Sequence, residues 1–126
     1  MSMQESKKIA IVDDERSLCS VFSILIKSLG YDTEFVAHDG TDIVQAISQG
    51  KVHPELIIMD YRMPIMNGMD AARRILKENP NIRIIIASAD DSIEGAAISA
   101  GLIFAQKPFS RAQLAALIQK ALSGPR

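Results

Sequence analysis

Short apolar runs and longer stretches of helical spacing alternate five times along this chain, with little left over. The apolar runs cover 8–13, 32–36, 56–60, 82–88 and 102–106. The helical stretches cover 16–29, 40–49, 68–78, 92–100 and, after Pro108, a last one reaching 122. Gly30, Gly50, Pro80 and Gly101 are stop signals, and Asp39 and Ser110 are N-cap candidates. Alternation this strict argues for a parallel sheet, because parallel neighbours need a crossover and the crossover is usually a helix. The first, third and fourth runs are continuously apolar, as strands covered on both faces must be. The second carries Asp32, Thr33 and Glu34, which suits an edge. The expectation is one doubly wound α/β domain over 8–123, with a flexible lead over 1–7 and a tail over 124–126.

Composition narrows what such a domain can do. With 126 residues, 48% of them hydrophobic, the chain can bury a core of its own. Fourteen basic against 15 acidic residues leave a net charge of −1, which offers no basic footprint for nucleic acid. No apolar run approaches the roughly 20 residues of a membrane span, and the polar start lacks a secretory h-region. A single cysteine, Cys19, excludes an internal disulfide and suits a reducing cytoplasm, the expected compartment. His38 and His53 stand in loops without ligand-spaced partners and read as surface histidines.

Ligands of open parallel sheets bind beyond the C-terminal strand ends. Four of the five ends carry chemistry: Asp13-Asp14, Asp60, Ser88 and Lys107. An Asp pair after a strand is by itself most often a turn or a cap. With Asp60 beside it, three carboxylates crowd one edge and repel, so a cation belongs among them. Carboxylates without cysteine or paired histidine favour a hard cation, Mg²⁺ first, which also takes phosphate oxygens. Asp14 and Asp60 are expected to touch the metal and Asp13 to act through a water. Pro64 and Asn67-Gly68 mark a stiff loop leading into the third helix. Pro108 restricts the backbone of Lys107, whose ammonium would pair with Asp60 or with a phosphoryl oxygen. The Lys107-Pro108 bond is a candidate for the cis form.

Asp13-Asp14-Glu15, Asp60-Tyr61-Arg62-Met63-Pro64 with Asn67-Gly68, Ser88-Ala89 and Lys107-Pro108-Phe109 together resemble the receiver domain of two-component response regulators, the CheY-like family. The match runs from residue 8 to about 122. The resemblance implies a five-stranded flavodoxin-like sheet in the order 2-1-3-4-5. It implies that Asp60 accepts a phosphoryl group from a histidine kinase or a histidine phosphotransfer protein. The chain would then be a phosphoacceptor, not an enzyme. Mg²⁺ would be held by Asp14, Asp60 and the backbone carbonyl of Arg62. Ser88 and Lys107 would bind the phosphoryl oxygens, and Ser88 with Phe104 would form the switch that changes binding to an output protein. Kinase-side docking is expected at the first helix (Cys19, Phe22) and at Pro108 and Phe109.

Two departures qualify the resemblance. Ser88 and Lys107 are 19 positions apart (107 − 88), a few fewer than the family usually has, so the fourth helix should be short. Arg62 and Asp90 stand two residues after Asp60 and Ser88. They are either two solvated charges or a pair that shields the acyl phosphate. Alternatives to a stand-alone regulator are a receiver excised from a longer regulator or hybrid kinase, or a phosphate-independent scaffold. A magnesium-dependent phosphatase would need an acid where Arg62 stands.

Overall fold

A computed structural model describes residues 7–123; most of the expected lead and all of the tail lie outside these residues. The order of elements is β1 (Lys8–Val12), α1 (Arg16–Ser28), β2 (Asp32–Ala37), α2 (Gly40–Ser48), β3 (Leu56–Asp60), α3 (Gly68–Glu78), β4 (Arg83–Ser88), a 3-10 turn (Asp91–Ile93), α4 (Glu94–Ser99), β5 (Ile103–Gln106) and α5 (Arg111–Ser123). The strands form one parallel sheet in the order 2-1-3-4-5. The three continuously apolar strands are therefore central, and the polar one, β2, is an edge.

Strand period divides the core into two layers. Ala10, Val12, Ile57, Met59, Ile84 and Ile86 face one side and pack with Ile43 of α2, Met69, Ala72 and Ile75 of α3, and Ala97 of α4. Ile9, Ile11, Leu56, Ile58, Ile85 and Ala87 face the other, against Phe22 and Ile26 of α1 and Leu114 and Ile118 of α5. The register Ile9↔Leu56, Ile58↔Ile85 keeps each layer on its own face across the strands.

Caps follow the expected chemistry. Asp39 Oδ1 accepts the amide of Asp42 at 2.8 Å. Ser110 and Gln113 form a reciprocal box, Ser110 Oγ accepting from Gln113 N and Gln113 Oε1 from Ser110 N. The fourth helix is short, as expected, at six residues after the 3-10 turn, and Ala97 is its one buried side chain. The Lys107-Pro108 bond is cis.

The loop from β3 to α3 is tightly built. Gly68 N donates to Tyr61 O and Met66 N to Pro64 O, both at 2.8 Å. The second bond closes a γ-turn around Ile65, whose φ is +72°, a strained conformation for a β-branched residue. Ile65 is also 88% exposed, so no packing requires its side chain. Ile65→Asn should raise stability by about 1 kcal/mol. The expected reading is a higher urea midpoint at unchanged slope; a lower midpoint would contradict the strain.

Candidate functional site

The parallel register carries the chemistry to one edge. Val12 pairs with Met59, Asp60 with Ala87 and Ser88 with Gln106. The ladders run one step further, through Asp13 N to Ala37 O, Tyr61 N to Ala87 O and Lys107 N to Ser88 O. Asp13, Asp60, Ser88 and Lys107 thus emerge together. Carboxylate oxygens of Asp13, Asp14 and Asp60 lie within 4.8 Å of one another.

Lys107 joins two of them. Its Nζ is 2.9 Å from Asp60 Oδ1 and 3.1 Å from Asp13 Oδ2. Asp13 is buried, and its other oxygen accepts the amide of Glu15 at 2.9 Å. Asp14 stands exposed at the mouth. One ammonium against three carboxylates leaves an excess of negative charge. Burial pushes the carboxyl of Asp60 above the usual range; Lys107 opposes this, and Asp13 and Asp14 add to it. Burial works against the Lys107 ammonium too, but the hydrogen bond and charge of Asp60, then Asp13, outweigh it and raise its pKa.

The donor set fits Mg²⁺. All three side chains offer hard oxygens, and the charge left over by Lys107 calls for a cation. Two oxygens on one Mg²⁺ are at most about 4.2 Å apart, so a 4.8 Å cluster closes on an ion with a small shift or with one carboxylate reaching through a water.

Beside Asp60 opens a cleft of about 400 Å³, lined by Ser88 and Lys107 with Arg62 and Asp90. Ser88 is buried and its Oγ accepts the amide of Asp90 at 3.0 Å, so the hydroxyl proton is available to another acceptor. Arg62 Nη2 and Asp90 Oδ2 form an ion pair of 3.2 Å across the mouth. Hydrogen bonds with Ser92, then Arg62, hold the Asp90 carboxyl below its ordinary range. Phe104 is half-buried against the α4 side of the sheet.

Three expectations need correction. Cys19 and Phe22 are not a free docking surface: Cys19 is 3% exposed, and Phe22 is buried with its ring stacked on Phe109 at 5.6 Å and 13°. Val21, which helical spacing puts on the apolar face with Leu18, Phe22, Leu25 and Ile26, is instead exposed at 49%, as is Ile24 at 70%. His38 is not a surface histidine. It is half-buried, with Nδ1 3.1 Å from the backbone oxygen of Asp13. A signal was available in its position: His38 directly follows β2, the one strand whose end had been assigned no chemistry. His53 is exposed, as expected, and Pro108 is exposed as well.

The comparisons agree with this geometry. The family model of the response regulator receiver domain matches residues 9–119. The chemotaxis protein CheY of Thermotoga maritima is 33% identical over 117 residues, covering 90% of this chain and 96% of that protein. A response regulator receiver domain from Clostridium thermocellum superposes with a TM-score of 0.84 at 25% identity, over 92% of this chain and 94% of that one. The receiver domain of a sensor histidine kinase from Pseudomonas aeruginosa PAO1, solved with magnesium coordinated in its active-site cleft, superposes with a TM-score of 0.82 at 28% identity, over 95% and 100%. The family model over most of the chain and a relative at 33% identity agree, and the chain belongs to the response regulator receiver domain family.

Proposed function

We propose that this receiver takes a phosphoryl group on Asp60 from a histidine kinase or histidine phosphotransfer protein, in a Mg²⁺-dependent reaction, and changes its binding to an output protein as a result. The observation that carries this is the position of Lys107, which holds Asp60 and Asp13 at the edge where three carboxylates converge. Asp14 and Asp60, with the carbonyl of Arg62, would hold the ion, and Asp13 would reach it through water. When bound, the ion offsets charge on the transferring oxygens.

The remaining work falls to the chain. Lys107 grips Asp60 by Oδ1 and so restricts how the carboxylate can turn. An oxygen of Asp60 attacks phosphorus while the bond from phosphorus to the donor nitrogen breaks, and the donor imidazole leaves. The ammonium of Lys107 then pairs with the new phosphoryl oxygens. Ser88 can donate its hydroxyl proton to one of them. Moving toward the phosphoryl group, it would vacate space for Phe104, giving two states biased by one modification.

Incubation with Mg²⁺ and a small phosphodonor should add one phosphoryl group, seen by intact mass, and Asp60→Asn should add none. Unmodified wild-type protein under those conditions would refute the proposal. The mouth pair sets the lifetime of the product. An exposed ion pair adds little stability, but it can keep water from the acyl phosphate. Arg62→Ala and Asp90→Ala should each shorten the half-life of the phosphoprotein several-fold; an unchanged half-life would sink this role.

A further inference from the structure

Asp13 is held from behind by two side chains that the phosphoacceptor chemistry leaves unused. His38, just past the end of β2, places Nδ1 3.1 Å from the backbone oxygen of Asp13. Cys19, on the first turn of α1, places Sγ 3.3 Å from the same oxygen. The two side chains lie 3.8 Å apart, Sγ to Nδ1.

The chemistry of the acceptor assigns the protons. A carbonyl oxygen only accepts, so His38 must carry its proton on Nδ1 to bond it. That nitrogen then has no lone pair for the thiol, and the S–H of Cys19 also points at the carbonyl. One oxygen with two lone pairs receives two donors. Burial, then the charge of Asp13, raises the pKa of Cys19, in keeping with a thiol that stays protonated and donates. Next to it, Asp13 N donates to Ala37 O, the residue before His38. The last residue of the edge strand and the one after it therefore grip Asp13 by both ends of its main chain.

This matters because the carbonyl of Asp13 and the amide of Asp14 belong to one rigid peptide unit. The orientation of that plane sets where both carboxylates leave the backbone. We propose that His38 and Cys19 are positioning residues for the acidic pair: by fixing the Asp13–Asp14 peptide plane, they hold the two carboxylates where a divalent cation can be shared with Asp60. The proposal rests on the metal-dependent reading above and extends it to residues that touch neither metal nor phosphate. Partners one step behind metal ligands commonly set affinity by roughly 10–100-fold.

The test is a Mg²⁺ titration followed by two-dimensional amide NMR on wild type, His38→Leu, His38→Asn, Cys19→Ala and Asp14→Asn. His38→Leu should weaken Mg²⁺ binding by about tenfold or more. His38→Asn, whose side-chain amide can reach the Nδ1 position, should recover most of it. Cys19→Ala, a small change in a buried site, should weaken binding several-fold even if His38→Leu folds poorly. In metal-free protein, His38→Leu and Cys19→Ala should both move the Asp14 amide resonance. Wild-type Mg²⁺ affinity in both variants with an unmoved Asp14 amide would overturn the proposal. If wild type itself binds no Mg²⁺ while the Asp14 amide still moves, the metal reading fails and the positioning of the acidic pair stands.

Discussion

Asp60→Asn is expected to raise the thermal midpoint of the metal-free protein at neutral pH while removing the proposed phosphorylation. Burial lifts the Asp60 carboxyl above its ordinary range, and neighbouring Asp13 and Asp14 add to the effect. Lys107 pulls the other way but does not win. An acid whose folded pKa lies above its unfolded value favours folding most when protonated. The contribution is greatest below the unfolded carboxylate range and is lost as pH rises through the folded value. Above the folded value the cost of holding an ionised Asp60 is expressed in full. Asparagine keeps the shape and a hydrogen-bonding oxygen without the charge.

Without the metal, the gain should therefore appear as a midpoint higher by several degrees, measured by circular dichroism in the presence of a chelator. It should shrink as pH is lowered toward the carboxylate range, where wild type loses the same charge. Saturating Mg²⁺ should narrow it too, since an ion bound only by the native state stabilises the wild type. A midpoint in the variant at or below wild type at pH 7 would mean that Lys107 compensates Asp60 completely. Sites kept for chemistry at a cost in stability behave in this way.

Glycine-to-alanine substitution should have opposite effects at two helices. Gly68 opens α3, and a β-carbon there would fall against the main-chain oxygen of Asp60 and lie 3.1 Å from the α-carbon of Tyr61. Both obstacles are backbone, so neither can swing aside. Alanine improves helix propensity by about 1 kcal/mol over glycine, but overpacking against fixed backbone costs about 1–3 kcal/mol, and the cost should win. The obstructing atom belongs to Asp60, the proposed phosphoacceptor, so β3 must shift at the end that carries it. Gly68→Ala should therefore lower both stability and the rate of phosphorylation by a small phosphodonor. Gly95, in α4, has nothing within 4 Å of its would-be β-carbon. Gly95→Ala should gain up to about 1 kcal/mol and leave phosphorylation unchanged. Paired urea titrations decide the matter: two shifts of the same sign would show that propensity, not the close approach at Asp60, governs Gly68.

Much of this was legible from one dimension. The central strands announce themselves as unbroken apolar runs because both of their faces are covered, and β2 is marked as an edge by Asp32, Thr33 and Glu34. The site was legible for the same reason. In a parallel sheet every strand ends at one edge, so finding Asp13, Asp60, Ser88 and Lys107 at four strand ends amounts to finding them together. The bounds of β3 and α3 also matched, because Asp60 ends an apolar run and Asn67-Gly68 opens the helix.

What escaped the linear reading depends on rotation and distance. Helical spacing identifies a stripe but not its angular centre. In the fold α1 is turned so that Cys19 is covered and Phe22 stacks on Phe109, while Val21 and Ile24 face solvent. Spacing likewise says nothing of contacts between residues 19 and 25 positions apart, such as Cys19 with His38 and His38 with Asp13. The sequence by itself determined the sheet, its edge and the residues of the acidic pocket, because those follow from local periodicity and a shared strand direction. Only the tertiary structure decided how Lys107 is shared between two carboxylates, that Arg62 meets Asp90, and that His38 and Cys19 hold the peptide between Asp13 and Asp14. Those are interactions of a few ångströms, set by how helices pack and rotate against the sheet.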